Sequence, residues 1–394
     1  MCTVLIFHKF HPLIALVGCL CVAWFVQGCS KPSNVETALN ENILHFGLGA
    51  EPQHLDPHLA TSVAAHNILS ALLEGLVSEH PKTLKPVPGV AHRWEKLEEG
   101  KTYLFFLRDN ALWSNGDPVT AHDFVYSFRR ILNPNLGAQY ASMLHPLKNA
   151  KLYHEGKKTW EEAKVGAEAI DNYTLKITLE HPIPYFLELL NHYSWFPVHR
   201  PTLEKFDAFE KMGTPWTKPG NFVSNGPFQL IEHQINSVIA VGKNEGYWDA
   251  SSVRLEGIRF YPIESVDTEE RAYRAGFLHL TQSVSADRID YLKEKYPDEL
   301  HFEPYLGTYF YRFNLKSPPF DDLRVRQAFS LAIDRQRLVD KVLKGGQTPA
   351  NTFTPPGTGG FYPPPQFIHD PKKARRLLVS YLSEKGLERL PPIE

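Results

Sequence analysis

The residues of this sequence that could do covalent chemistry form none of the common catalytic patterns. After its first 28 residues the chain contains no G-x-S-x-G, no H-E-x-x-H, no phosphate-binding loop and no paired C-x-x-C. These patterns supply a nucleophile, a metal site or a phosphate cradle, so the corresponding routes of catalysis have no local signature here. Carboxylates are plentiful, but most carboxylates of a globular protein are solvated surface groups. The sequence therefore favours a binding protein over an enzyme.

Histidine is abundant, with 18 copies in the chain, and could in principle hold a metal ion. His54 and His58 stand four residues apart, the spacing that places two ligands on one face of a helix. Pro57 lies between them and disfavours a continuous helix there. The other histidines are scattered along the chain, so we predict neither a metal site nor a cofactor.

A dense run of aromatic residues, at positions 303–314, gives a different lead. It contains Tyr305, Tyr309, Phe310 and Tyr311, with Gly307 among them. One interpretation is a buried strand. The other is a strand with one face lining a groove, where Gly307, having no side chain, lets another backbone approach closely. The sequence leaves both interpretations open.

The elements that must position these residues can be predicted from the spacing of apolar side chains. Residues 173–180 alternate between apolar and polar types, which predicts a half-buried strand, and residues 103–108 are apolar on both faces, which predicts a buried one. A helix is predicted over 123–132 with Thr120 as its N-cap. The other predicted elements are a hairpin of 228–232 with 238–241 and helices over 269–275, after Asp321 or Asp322, after Asp334, and over 372–382. This mixture predicts α/β lobes built on mixed sheets.

Composition places the chain among globular proteins. It has 394 residues, 43% of them hydrophobic, and 42 Lys and Arg balance 44 Asp and Glu to a net charge of −2. That balance gives no basic surface for nucleic acid. At about 100–200 residues per domain, the length suggests two or three domains.

The N-terminus has the parts of a secretory signal. Lys9 precedes an apolar run over residues 13–26, too short for a membrane-spanning helix, which ends in Val26-Gln27-Gly28-Cys29. This ending resembles a bacterial lipobox, although Gln27 fits it imperfectly. The resemblance implies a signal peptide over 1–28, acylation of Cys29 and a polar tether over 29–42. An uncleaved membrane anchor is the alternative.

Several short motifs occur in one order along the rest of the chain. They are Leu55-Asp56-Pro57, Glu74-Gly75-Leu76, Pro88-Gly89-Val90-Ala91, Leu107-Arg108, the segment from Trp113 to Phe124, Ser224-Asn225-Gly226-Pro227, Tyr247-Trp248 and Arg324-Val325-Arg326-Gln327-Ala328. Together they resemble the family 5 extracellular solute-binding proteins, most closely the oligopeptide-binding proteins of ABC importers. The resemblance runs from about residue 44 to residue 356.

The resemblance implies an α/β fold of the two-lobed periplasmic-binding-protein type (type II, cluster C) with an extra inserted domain. Carried onto this sequence, the first lobe spans 43–73 and 199–306, the inserted domain spans 74–198, and the second lobe begins at 307. Gly307 would then lie at a crossover between the lobes, as a hinge residue. Relatives carry a later Gly-Trp-x-x-Asp-Tyr-like segment that this sequence lacks, so we expect the second lobe, 307–394, to be incomplete.

The resemblance also implies a function. The chain would be a monomeric, non-enzymatic receptor at the periplasm or cell surface, anchored by lipidated Cys29. It would capture oligopeptides between its lobes and pass them to the permease and ATPase subunits of an importer. The implied ligand-binding residues pair with the peptide main chain or line its pocket; they are Thr61, Ser62, Val63, Tyr140, Tyr305, Gly307, Thr308 and Arg312.

Two alternatives remain open. Within the same family, the ligand could be a dipeptide, a murein peptide, nickel or haem. Outside it, the chain could be an inactive truncated product or a scaffold that binds no solute, as the short second lobe suggests.

Overall fold

The computed structural model describes residues 32–303, 305–362, 364 and 368–393. The chain divides into two compact units, unit 1 ending at Ser283 and unit 2 starting at Val284. The predicted signal peptide and Cys29 lie outside the described residues. The predicted division into first lobe, inserted domain and second lobe stays a prediction.

All strands of the described residues lie in unit 1. In chain order they are β1 (Ile43–Gly47), β2 (Val77–Glu79), β3 (Pro86–Pro88), β4 (Ala91–Leu97), β5 (Thr102–Leu107), β6 (Ala167–Ala169), β7 (Thr174–Thr178), β8 (Phe228–Gln234), β9 (Val238–Lys243) and β10 (Gly257–Tyr261).

The strands form two four-stranded sheets and one small hairpin. Sheet A has the order β1-β10-β9-β8, with β1 parallel to β10 and the other neighbours antiparallel. Sheet B has the order β4-β5-β7-β6 and is antiparallel throughout, and β2 pairs with β3. Sheet A is thus mixed, as predicted, and it contains the predicted β8–β9 hairpin.

The helices connect and flank these sheets and make up the regular structure of unit 2. In chain order they are α1 (Asn34–Glu41), α2 (Val63–Leu72), α3 (Ala121–Ile131), α4 (Ala150–His154), α5 (Trp160–Ala163), α6 (Phe186–Leu189), α7 (Arg200–Lys205), α8 (Val266–Arg274), α9 (Ile289–Lys295), α10 (Leu323–Ala332), α11 (Arg335–Leu338) and α12 (Pro371–Lys385), with a π-helical turn at Val339–Leu343. None of the described helices is long and apolar enough to cross a lipid bilayer.

Local sequence signals account for most of these elements. β5 and β7 are the two strands predicted from periodicity, and no residue of β5 is exposed on either face, as its apolar side chains on both faces predicted. The main-chain N–H and the hydroxyl of Thr120 both donate to the Asp123 carboxylate at 2.8 and 2.9 Å, which caps α3 as predicted. After α8, Gly276 has a φ of 69°, the left-handed conformation that ends a helix.

The two units differ in how much apolar surface they bury. Unit 1 has one continuous core, in which Trp113, Trp195 and Phe124 are fully buried. In unit 2 the described core cluster consists of Ala328, Leu331 and Ala374, at the contact between α10 and α12. Because apolar burial is the main stabilising contribution to a fold, unit 1 is the more strongly stabilised of the two.

Several motifs of the family resemblance meet in buried polar clusters of unit 1. Arg130 is fully buried and binds both carboxylate oxygens of Asp56, at 2.6 and 2.9 Å. Its third contact is Nε donating to the carbonyl oxygen of Ala208 at 3.1 Å. A second cluster, the Glu74 cluster, consists of Glu74, Arg108, Asn225, Tyr247 and Trp248. These motifs therefore hold the fold together.

Candidate functional site

The loop that leads into α2 carries three of the predicted ligand-binding residues. Ser62 is the N-cap of α2, and its hydroxyl accepts a hydrogen bond from the N–H of Ala65 at 3.1 Å. Val63 is the first residue of the helix and is 53% exposed. Its carbonyl oxygen accepts within the helix, whereas the N–H of a first helical residue has no acceptor in its own helix. Val63 is therefore not a core residue, and only its N–H is available to a ligand.

Tyr140 lies beside this loop, although 77 residues separate it from Val63 in the sequence. Its hydroxyl points at the carbonyl oxygen of Thr61, with a long separation of 3.4 Å. Its half-buried ring packs edge-on against the imidazole of His192, with ring centroids 5.3 Å apart. The structure thus brings together Thr61, Ser62, Val63 and Tyr140, and adds His192. We call these five residues the α2 patch.

His192 was not predicted to be part of the site, and nothing in its sequence context marks it. Its Nδ1 accepts from the N–H of Ser194 at 3.2 Å, which places the ring hydrogen on Nε2. Burial and the neighbouring His66 lower the pKa of His192 to about 4. Behind the patch, the Tyr193 hydroxyl donates to the carbonyl oxygen of Ala60 at 3.1 Å, and burial raises its pKa to about 12.

At neutral pH the α2 patch is therefore uncharged and rich in hydrogen-bond donors. It offers the N–H of Val63 and the imidazole N–H of His192, whereas the Tyr140 hydroxyl donates to the carbonyl oxygen of Thr61. Groups of this kind recognise carbonyl oxygens of an extended polypeptide. Neutral donors hold main-chain atoms without selecting for a charged side chain, so the patch fits a ligand bound through its backbone.

The remaining predicted ligand-binding residues lie in unit 2, in an extended segment over 305–313. Tyr305, Tyr309 and Tyr311 are 82%, 86% and 74% exposed. No strand forms there among the described residues, which contradicts both strand interpretations, and the exposed tyrosines further contradict the buried one. The density of aromatic residues suggested a strand, but a strand also needs a neighbour to take up its main-chain hydrogen bonds, and the described residues supply none.

Local contacts give this segment its conformation. The N–H of Gly307 donates to the carbonyl oxygen of Tyr305 at 3.1 Å, and the Tyr305 ring lies over Gly307 so closely that a Cβ would come within 2.6 Å of it. The hydroxyl of Thr308 donates to the carbonyl oxygen of Phe353 at 2.8 Å. Arg312 is exposed. The aromatic rings and the Arg312 side chain thus remain accessible on unit 2.

The histidines do not assemble a metal site among the described residues. His58 is buried, and its Nδ1 lies 2.9 Å from Nη1 of Arg130, whereas His54 is exposed. In the part of the chain that the structure covers, no three His, Cys, Asp or Glu residues lie close enough together to hold a metal ion.

Comparison with known proteins identifies the family. The sequence model of the bacterial extracellular solute-binding proteins, family 5 (middle part), matches residues 85–390. The periplasmic oligopeptide-binding protein OppA of Salmonella typhimurium is 37% identical over 383 residues, which cover 96% of this chain and 68% of that protein. The periplasmic murein peptide-binding protein MppA of Escherichia coli is 38% identical over 357 residues, which cover 89% of this chain and 64% of that protein.

Solved structures agree with the sequence comparison. The Escherichia coli murein tripeptide-binding protein MppA matches with a TM-score of 0.80 at 36% identity, covering 86% of this chain and 66% of that one. Haemophilus influenzae OppA, solved in complex with the peptide RPPGFSPFR, matches with a TM-score of 0.78 at 35% identity, covering 88% and 67%. The chain thus has the α/β fold of the periplasmic peptide-binding proteins, and it spans about two thirds of the length of the relatives that it matches.

Proposed function

The chain belongs to the family 5 extracellular solute-binding proteins, and from this membership we propose that it captures oligopeptides outside the cytoplasmic membrane for an ABC importer. The observation that carries the proposal is the identity with an oligopeptide receptor along nearly the whole of this chain. The permease receives the peptide, and partner ATPase subunits supply the energy. The chain itself acts as a monomeric receptor without catalytic activity.

Within this proposal, the α2 patch donates hydrogen bonds to the peptide main chain. Val63 contributes its N–H, His192 contributes its imidazole N–H, and the ring of Tyr140 forms a wall of the pocket. On unit 2, we assign main-chain pairing to Tyr305 and Gly307, with Thr308 and Arg312 beside them. The proposal includes a first lobe over 43–73 and 199–306, an inserted domain over 74–198 and a second lobe over 307–394. Binding must favour the closed state by differential affinity, as in any ligand-driven closure.

Isothermal titration of the purified chain tests the solute. The probes are a mixture of tripeptides, a murein tripeptide and nickel chloride, each added to the same preparation. We expect heat with the tripeptide mixture. Heat with the murein tripeptide alone would favour the murein peptide receptor, which the similarity to MppA supports. Heat with nickel alone, or no heat from a folded sample, would contradict the oligopeptide proposal.

We further propose that lipid on Cys29 holds the receptor at the membrane, after removal of residues 1–28. The short motif at 26–29 supports this, since acyl chains on a terminal cysteine give stable anchoring. Replacing Cys29 with Ser and fractionating the cells tests it. We expect the variant to move from the membrane to the soluble exported fraction, and equal membrane binding of both forms would overturn the proposal.

A further inference from the structure

Glu74 is a buried carboxylic acid at the centre of unit 1 that the proposed function does not use. It follows α2, and only 6% of its surface is exposed. Tyr247 Oη lies 2.6 Å from Oε1, and the indole Nε1 of Trp248 donates to Oε2 at 2.7 Å. The side chain of Asn225 fixes the main chain of Glu74, since Oδ1 accepts from its N–H at 3.0 Å and Nδ2 donates to its carbonyl oxygen at 2.9 Å.

The nearest cation does not form an ion pair with Glu74. Nε of Arg108 donates to the carbonyl oxygen of Gly89 at 2.8 Å, and its guanidinium lies 3.5 Å above the ring of Trp248. The ion pairs of the described residues do not include one between Arg108 and Glu74. A buried carboxylate without a directly bound cation is costly, because its charge has lost water and gained little in return.

The two hydrogen-bonding partners can serve Glu74 in either protonation state. The indole N–H of Trp248 can only donate, so it needs an oxygen acceptor, and Oε2 provides one. The Tyr247 hydroxyl donates to Oε1 of the ionised carboxylate, and because a phenol can accept as well as donate, it can take a hydrogen bond from Oε1 once Glu74 is protonated. Both contacts are therefore satisfied when Glu74 carries its proton.

The cluster joins residues that adjoin strands of both four-stranded sheets of unit 1. Trp248 and Tyr247 follow β9 and Asn225 precedes β8, both strands of sheet A, whereas Arg108 follows β5 of sheet B. Trp248 contacts both Glu74 and Arg108: its indole N–H donates to Glu74, and the Arg108 guanidinium stacks on its ring. We propose that Glu74 is a proton-sensitive joint between sheets A and B, tight while its carboxyl group is neutral and looser once it ionises.

The charged and titratable groups around the joint support this proposal. Burial raises the pKa of Glu74 to about 7. The hydrogen bonds of Tyr247, Trp248 and Ser78 and the charge of Arg108 each lower this pKa, but they offset burial only in part. Burial and the neighbouring Glu74 raise the pKa of Tyr247, with Asp249 adding to the effect, so Tyr247 keeps its proton. A raised pKa means that the folded state holds the proton more tightly than the unfolded state. The stabilisation is complete below the ordinary pKa of 4.5 and is lost as the pH rises through about 7.

NMR of the full chain with 15N-labelled tryptophan tests the joint directly. The chain has seven tryptophans, and the Trp248 indole signal is assigned by its absence from a Trp248→Phe variant. We expect that signal to shift with a midpoint near pH 7. In Glu74→Gln, whose amide mimics the neutral acid, we expect no shift. Glu168→Gln, an exposed control, should behave as the parent.

Urea denaturation measures the energetic consequence. Between pH 5 and pH 8 we expect the unfolding equilibrium constant of the parent to rise by about 70-fold relative to that of Glu74→Gln. Histidines titrate equally in both proteins and cancel in this ratio. A Trp248 signal that stays still between pH 5 and pH 8, or that shifts alike in Glu74→Gln, would overturn the proposal. Should Glu74→Gln fail to fold, Tyr247→Phe removes a hydrogen bond that lowers the pKa of Glu74, so its midpoint must move above that of the parent.

Discussion

Val63 offers a ligand one main-chain hydrogen bond, because it is the first residue of α2. Its carbonyl oxygen is already used within the helix. Strand-like pairing through both main-chain groups is therefore reduced to a single N–H at this residue. Ser62, with φ −109° and ψ 155°, precedes it in an extended conformation.

This geometry permits a substitution that removes only the donor. Proline is well tolerated at the first position of a helix and favours an extended residue before it. We expect Val63→Pro to keep the fold and to weaken tripeptide binding about fivefold, the cost of one net hydrogen bond of about 1 kcal/mol. Val63→Ala keeps the N–H and should bind as the parent, as measured by calorimetry. Equal affinity of the Pro and Ala variants would show that the N–H of Val63 is not a ligand contact.

At the scale of elements, α3 is fixed by one buried ion pair. Arg130, near its C-terminal end, binds Asp56 in the segment before α2. Burial raises the pKa of Asp56, but the charge and hydrogen bonds of Arg130 outweigh burial and lower it. His58 stays neutral beside them, because burial and Arg130 lower its pKa to about 3.

Removal of the cation should therefore be severe. In Arg130→Met the Asp56 carboxylate is left buried and unpaired, and we expect a loss of about 3–5 kcal/mol in the free energy of unfolding, measured by urea denaturation. The control is Arg129→Met, the adjacent residue, 44% exposed in its pair with Glu161, where we expect a loss below about 1 kcal/mol. Equal losses in the two variants would mean that the buried pair does not hold α3.

At the scale of the whole molecule, apolar exposure is concentrated in unit 2. Three tyrosines of the 305–313 segment lie almost fully in solvent, and Phe353 and Tyr362 are 70% and 78% exposed. Exposed apolar side chains in such number mark an interaction site or a tendency to associate. Unit 1, by contrast, has one continuous core, which contains large aromatic residues such as Trp113, Trp195 and Phe124.

A dye that reports accessible apolar surface can check this contrast. We expect the chain to enhance the fluorescence of anilinonaphthalene sulfonate, and simultaneous replacement of Tyr305, Tyr309 and Tyr311 with Ser to reduce the signal. Tyr185→Ser, which changes an exposed tyrosine of unit 1, is the matched control and should leave it unchanged. Equal fluorescence of the triple variant and the parent would contradict the assignment of this surface.

Elements whose signals are local could be predicted from the sequence. The alternation in β7, the two apolar faces of β5, the Thr120 cap of α3 and the glycine after α8 each depend on a few neighbouring residues. The ordered motifs also led to the family. Short-range hydrogen bonding and side-chain spacing are sufficient to define these elements, and the order of the motifs is sufficient to recognise the family.

The contacts between residues distant in the sequence became visible in the folded chain alone. Asp56 and Arg130 are 74 positions apart, and Glu74 and Trp248 are 174 apart. His192 packs against Tyr140 in the α2 patch, although no motif in its own segment predicts that contact. The aromatic run over 305–313 suggested a strand, yet its tyrosines are exposed. A strand requires a neighbour for its main-chain hydrogen bonds, and the described residues provide none for this segment. Local patterns define what a segment can form, whereas pairing, burial and shifted pKa values depend on what packs against it.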